Sequence, residues 1–104
     1  MAKFSDWILD FTAHELKSTA GEEVVLTSSE FELLVTLVKN ANRVLSRDQI
    51  MDNITGRDWI SSDRSVDVLM GKLRKKIEED PHNPTLIKTI RGAGYKFTTR
   101  VEYS

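Results

Sequence analysis

Apolar residues recur along this chain with two periods, and the changes of period divide it into elements. Near the N-terminus the spacing is short. Trp7-Ile-Leu-Asp-Phe11 is apolar and aromatic, and His14-Glu-Leu-Lys-Ser18 alternates around Leu16. Glu23-Val-Val-Leu-Thr27 follows a turn at Thr19-Ala-Gly-Glu22, where Gly21 is free to take a positive φ. Residues 4–26 therefore predict a small antiparallel meander. From Thr27 the period lengthens to that of a helix, with Phe31, Leu34, Val35 and Val38 on one face and an end near Asn40-Ala-Asn42. Thr27-Ser-Ser-Glu30 opens it as a capping box, in which hydroxyl and carboxylate each take the other residue's amide. Ser46-Arg-Asp-Gln49 is a second capping box. It opens a shorter helix carrying Ile50, Met51 and Ile54, stopped at Gly56, while Arg43-Val-Leu45 forms a short extended link between the two helices.

The clearest periodic stretch is Asp63 to Asp80, which predicts a helix over 63–79 with Ser62 or Asp63 as N-cap. Val66, Met70, Leu73 and Ile77 recur at i, i+4, i+7 and i+11 and form one apolar stripe. The opposite face carries Arg64, Val68, Gly71, Lys72 and Lys75. This helix ends on Glu78-Glu-Asp80, before Pro81 and Pro84. Three acids there oppose the helix dipole at about a few tenths of a kcal/mol each, and their simplest role is to solubilise a fraying turn. The chain closes with Leu86–Ile90, the tight loop Arg91-Gly-Ala-Gly94, and Tyr95–Thr99, which reads as a hairpin.

Composition narrows the class. At 104 residues, with 39% hydrophobic and 30% charged, the chain reads as one globular domain over 1–104. It has no cysteine, hence no disulfide framework and no thiolate metal site, which fits a reducing cytosol. No apolar run reaches the length of a membrane span, and the first residues lack a signal-peptide core. A net charge of −1 argues weakly against nucleic acid, but its distribution argues the other way. Residues 1–40 carry three basic against seven acidic groups, residues 41–104 twelve against nine, and Leu86–Val101 holds Lys88, Arg91, Lys96 and Arg100 with no acid. The histidines, His14 and His82, belong to no Ser/His/Asp grouping and no metal-spaced cluster, so no enzyme, metal or cofactor is expected.

The element order is small sheet, helix, short helix, loop, basic helix, glycine-tipped hairpin. This is an α+β winged helix-turn-helix, in which the third helix enters the DNA major groove and the hairpin wing reaches a neighbouring minor groove. Lysine and arginine on the exposed helix face can meet phosphates, and Val68 among them can touch a thymine methyl. Arg91 at the wing tip suits a narrow minor groove, with two adjacent glycines allowing close backbone approach. Several motifs then resemble one family in collinear order: L-T-S-S-E-F-E-L-L at Leu26–Leu34, V-L-S-R-D-Q-I at Val44–Ile50, R-S-V-D-V at Arg64–Val68, L-R-K-K-I at Leu73–Ile77 and T-I-R-G-A-G-Y-K-F at Thr89–Phe97. From about Phe4 to Phe97 the chain resembles the effector domain of OmpR/PhoB-type response regulators.

The resemblance implies sequence-specific double-stranded DNA binding for transcription regulation, as the cytoplasmic output domain of a bacterial two-component system. Arg47, Arg64 and Arg74 would hold phosphates. Ser65, Val68 and Lys72 would face base edges, with Lys75 on the same surface. Arg91 would enter the minor groove, and Tyr95 would support or contact the backbone at the wing. The loop Arg57, Asp58, Trp59 and Ile60 would touch RNA polymerase, unless Trp59 caps the core. Other implied partners are a receiver domain, expected outside this chain, its sensor kinase, and a second protomer on a direct-repeat half-site; no membrane is expected. Two departures stand out. Gly71 sits where many members carry a longer polar or basic side chain, and Lys72 where arginine is frequent, so base preference is looser. Asp67, acidic within this helix, reads as a buttress that orients Arg64 and Arg74. The rival reading is a winged-helix protein–protein module docking on RNA polymerase or a receiver domain, favoured slightly by Gly71 and the net charge and disfavoured by Arg64, Lys72, Arg74 and Arg91, which match the family's DNA contacts. RNA binding lacks the expected strand aromatics.

Overall fold

A computed structural model describes residues 1–54 and 66–103. In chain order the described elements are β1 (Ala2–Phe4), β2 (Trp7–Asp10), β3 (Glu15–Ser18), β4 (Glu23–Val24), α1 (Ser28–Lys39), β5 (Val44–Leu45), α2 (Arg47–Asn53), α3 (Val66–Ile77), β6 (Ile87–Ile90), β7 (Gly94–Phe97) and β8 (Val101–Tyr103). The predicted three-stranded meander forms as β2 to β4, with Gly21 at φ +92° in the last turn. The sheet is two strands wider than the sequence predicts, with β1 ahead of the meander and β8 from the tail. The tail beyond Thr99, where the sequence predicts no strand, returns as β8 and pairs antiparallel with β1, Ala2 against Tyr103 and Phe4 against Val101. The sheet order is β4-β3-β2-β1-β8, and its inner face places Ala2, Phe4, Leu9 and Leu16 in the core.

Both capping boxes are present. Thr27 and Glu30 exchange side-chain and amide contacts at 3.2 and 2.9 Å, and Ser46 and Gln49 do so at 3.1 and 2.9 Å. α1 is buried more widely than its predicted stripe. Leu33 and Leu37 are enclosed as fully as Leu34, because α1 packs against α2, α3 and β7 rather than against one layer. In α2, Ile50 and Ile54 enter the core as expected, but Met51 is 44% exposed and is not a core residue. The helix is too short to bury two adjacent faces, and Ile54 already serves as its C-cap. Gly56 and the N-cap candidates Ser62 and Asp63 lie outside the described residues.

The link at residues 43–45 is also more than a link. Asn42 takes φ +65°, donates its amide to the Phe97 carbonyl at 2.7 Å, and turns the chain into β5. β5 pairs with β7, so the wing is a three-stranded sheet in the order β5-β7-β6. Gly94 makes this possible. A side-chain carbon there would stand 2.0 Å from the Leu45 carbonyl oxygen, and its φ is +140°. The close approach at this glycine is therefore to β5, not to a ligand at the wing tip.

α3 closes the core with Val66, Leu69, Met70, Leu73 and Ile77. Its C-terminus is not a fraying acidic turn. Glu78, only 7% exposed, accepts the amides of Thr85, Leu86 and Ile87 at 2.8–3.1 Å and fixes the start of β6 to the end of the helix. Trp7 Nε1 donates to the Ile77 carbonyl at 3.1 Å from the other side. Lys76 reaches Glu30 Oε1 at 2.5 Å and the Val25 carbonyl at 3.0 Å. The far end of α3 is thus anchored to β2, α1 and β6 together.

Candidate nucleic-acid interface

With Val66, Met70, Leu73 and Ile77 committed to the core, helical spacing leaves the opposite face outward. Val68 is 41% exposed, Lys72 and Lys75 are exposed, and Gly71 is half-buried. A side-chain carbon at Gly71 would meet nothing within 4 Å, so no described neighbour requires glycine there. This surface is open, cationic and carries one apolar side chain, which suits a groove edge lined by phosphates.

The wing tip is built by register. Ile90 faces Gly94, leaving Arg91, Gly92 and Ala93 as the turn, with Gly92 at φ +76° and the Ala93 amide donated to the Ile90 carbonyl at 2.9 Å. A left-handed third position of this kind is what glycine supplies without strain. Arg91 is exposed at the second position of the turn. Thr89 and Tyr95 are cross-strand partners whose side chains both reach α3, whereas Lys88 and Lys96 are paired one step along the strands.

Between wing and helix lies a charged cluster. The Tyr95 hydroxyl donates to Asp67 Oδ1, and Arg47 Nε donates to the same oxygen at 3.0 Å. Arg74 Nη2 donates to the Ile87 carbonyl at 2.9 Å and to Thr89 Oγ1 at 3.0 Å. The Arg47 and Arg74 guanidinium carbons lie 5.6 and 5.5 Å from the centroid of the Tyr95 ring, within cation–π range. The Tyr95 hydroxyl draws the Asp67 carboxyl below its ordinary value; partial burial opposes this and Arg47 reinforces it. Burial, and then the bond to Asp67, push the Tyr95 phenol up, so it stays a donor at neutral pH. The hydrogen bond to Asp67 raises the Arg47 guanidinium further.

Of the residues singled out in the sequence, the fold brings Val68, Lys72 and Lys75 onto one helix face and gathers Arg47, Arg74 and Tyr95 around Asp67. Asp67 holds Arg47 of α2 and the Tyr95 hydroxyl of the wing; of the two arginines the sequence predicts it to orient, Arg74 is instead bonded to Ile87 and Thr89, and Arg64 lies outside the described residues. Tyr95 is 3% exposed, in a supporting position. Arg74 is half-buried and turned toward β6. Arg64 and Ser65, with the loop residues Arg57, Asp58, Trp59 and Ile60, lie outside the described residues. Sequence reasoning missed Thr89, which holds Arg74. The one available signal was its register opposite Tyr95, two residues before the turn arginine.

Comparison with known proteins gives the family of this fold. The family model described as transcriptional regulatory protein, C terminal, matches residues 21–97. The chain is 51% identical over 98 residues to the transcriptional regulatory protein AruR of Pseudomonas aeruginosa, covering 94% of this chain and 40% of that protein. It is 48% identical over 101 residues to the regulatory protein VirG of Agrobacterium tumefaciens, covering 97% and 38%. The chain thus spans about two-fifths of the length of the curated relatives it matches. Among solved structures it superimposes on the DNA-binding domain of Klebsiella pneumoniae RstA, crystallised with the RstA box, with a TM-score of 0.79 at 33% identity, covering 92% of this chain and 94% of that one. The C-terminal effector domain of BfmR from Acinetobacter baumannii gives 0.78 at 41% identity, covering 92% and 87%. With its helices, its two antiparallel sheets and its arginine-bearing hairpin, the chain belongs to the family of C-terminal domains of transcriptional regulatory proteins, the winged-helix effector domains of the OmpR/PhoB type.

Proposed function

We propose that this domain reads a specific double-stranded DNA sequence as the output unit of a bacterial two-component response regulator. α3 lies in the major groove, with Val68 and Lys72 at base edges, Ser65 beside them, and Lys75, Arg64 and Arg47 on phosphates. Arg91 enters the flanking minor groove. Arg74 and Tyr95 serve this surface from behind, Arg74 with any donor left free for a phosphate. The observation that carries the reading is the bridge Asp67–Tyr95–Arg74–Thr89, which ties the exposed face of α3 to the wing so that both are presented as one rigid surface. The RstA domain, of the same fold, was crystallised on its DNA box, which supports the same use here.

The relatives extend well beyond the matched region. In the full protein a receiver domain, phosphorylated by a sensor kinase, would place two such domains on direct-repeat half-sites in the cytoplasm. Residues 57–60 would meet RNA polymerase. Among the described residues no helix is long and apolar enough to cross a membrane.

The test is selection from a duplex library across a salt series, with Lys72→Ala and Arg91→Ala alongside. A repeated motif should be enriched. Lys72→Ala should relax one position of it at a cost of about 1–3 kcal/mol. Arg91→Ala should weaken binding at the flanking positions. Absence of enrichment at low salt, with both variants unchanged, sinks the reading and leaves the protein-docking module in its place.

A further inference from the structure

Tyr95 sits where α2, α3 and the wing meet. One face of its ring is covered by Arg74, which is spent on the wing carbonyl of Ile87 and on Thr89. Arg47 lies over the same ring from the first turn of α2. Arg47 is held in two ways at once, through Nε on Asp67 and through its flat side on the ring. Both holds leave the terminal Nη nitrogens at the end of a side chain that is half in solvent. An exposed arginine without such holds samples many rotamers and loses that freedom when a phosphate fixes it. Here the two contacts narrow the range of positions before any ligand arrives, and the hydroxyl bonded to the same Asp67 oxygen belongs to the wing. A buried phenol needs only one acceptor; satisfying it explains neither the Arg47 contact nor the sharing of a single carboxylate oxygen.

We propose that Tyr95 is a positioning residue for phosphate recognition by α2: through Asp67 and its own ring it points the Nη edge of Arg47 outward, so that α2 and the wing engage the DNA backbone as one unit. This rests on the DNA-binding reading above and assigns within it a residue that acts through another.

Tyr95→Phe is the sharp variant, because it keeps the ring beside both guanidinium groups and removes only the hydroxyl. Binding of a duplex carrying the selected motif is measured against salt for wild type, Tyr95→Phe, Arg47→Ala and the double variant. Loss of the Arg47 phosphate contact lowers the slope of log K on log salt by about 0.9. Tyr95→Phe should show most of that drop with roughly a fivefold loss of affinity, and the double variant should bind no more weakly than Arg47→Ala. A purely structural role predicts a wild-type slope in Tyr95→Phe and the same Arg47→Ala factor in both backgrounds, and either result overturns the proposal. Wild type showing no salt-dependent binding removes the parent reading and this inference with it, which the first curve already distinguishes. Should Tyr95→Phe fail to fold, the DNA-free wild type decides. An ordered Arg47 gives a resolved, slowly exchanging Nε–H signal in NMR; one averaged with solvent like free arginine overturns the proposal.

Discussion

α3 is gripped from two sides by carboxylates, and the two sides differ in how much water reaches them. At its C-terminal half, Glu30 and Glu78 are 3% and 7% exposed and take backbone amides as well as, for Glu30, a lysine. At its N-terminal half, the Asp67 side chain is 50% exposed and takes Arg47 and the Tyr95 hydroxyl. The chemistry is the same, but its consequence differs. A carboxylate enclosed with amides cannot be replaced by water, so losing it strands donors. One bathed in solvent contributes little to folding, because water and salt compete with its partners. The first kind fixes where the helix is. The second fixes which way its charged neighbours point.

The difference is broken most directly at Glu78. Glu78→Ala removes the acceptor for the Thr85, Leu86 and Ile87 amides, two of them on buried residues. Stranding buried donors costs about 1–3 kcal/mol each before relaxation, so urea unfolding should show a loss of about 3 kcal/mol. A loss under about 1 kcal/mol would mean that water replaces the carboxylate and that the enclosed side is no different from the open one.

Glu30 comes next and carries a pH signature. Burial pushes its carboxyl up, but Lys76, together with the Thr27 amide and hydroxyl, outweighs burial, and the net shift is downward. A carboxyl whose folded value lies below its unfolded one contributes stability that is complete above the ordinary carboxylate range and disappears as pH falls through the folded value. Glu30→Gln should cost about 2 kcal/mol at pH 7, the scale of hydrogen bonds to a charged group. The gap to wild type should close progressively in acid. An equal gap at pH 7 and at low pH would show that the charge on Glu30 is not what matters.

These two residues also mark where sequence reading stops. The stripe Val66, Met70, Leu73 and Ile77 and both capping boxes were legible because each partner lies within one or two helical turns. The capping role of Glu30 could be read from Thr27, but its ion pair with Lys76 spans 46 residues and has no local signal. Glu78 looked like an acid opposing the helix dipole because its amide partners lie beyond Pro81 and Pro84, seven to nine residues on. β8 was missed for the same reason, since its partner β1 is at the other end of the chain. At the site, the cationic face of α3 and the wing arginine were read from periodicity and turn chemistry. The sharing of Asp67 between Arg47 and Tyr95 needed the register of β7 against α3, which only the fold supplies.

The open side makes smaller predictions. Gly71→Ala places a methyl group where nothing lies within 4 Å, so only the helix propensity changes. Thermal unfolding should report a gain of about 1 kcal/mol. A loss instead would reveal a neighbour of Gly71 beyond the described residues.

The smallest effect is expected at Asp67, and it is the most informative about the comparison. Asp67→Asn keeps an acceptor for the Tyr95 hydroxyl and for Arg47 Nε and removes only the charge. Since the carboxyl is held below its ordinary value, its contribution has the same sign as that of Glu30: present above the ordinary carboxylate range and lost in acid. Its size should be that of an exposed pair, under about 1 kcal/mol in urea at low salt. It should shrink further as ionic strength rises, because the charges stand in solvent that ions can enter. The Glu78→Ala loss should barely move over the same salt range, since no mobile ion reaches amides enclosed by the end of α3 and the start of β6. If both losses responded to salt alike, the two grips on α3 would be one network rather than an anchor and a pointing device.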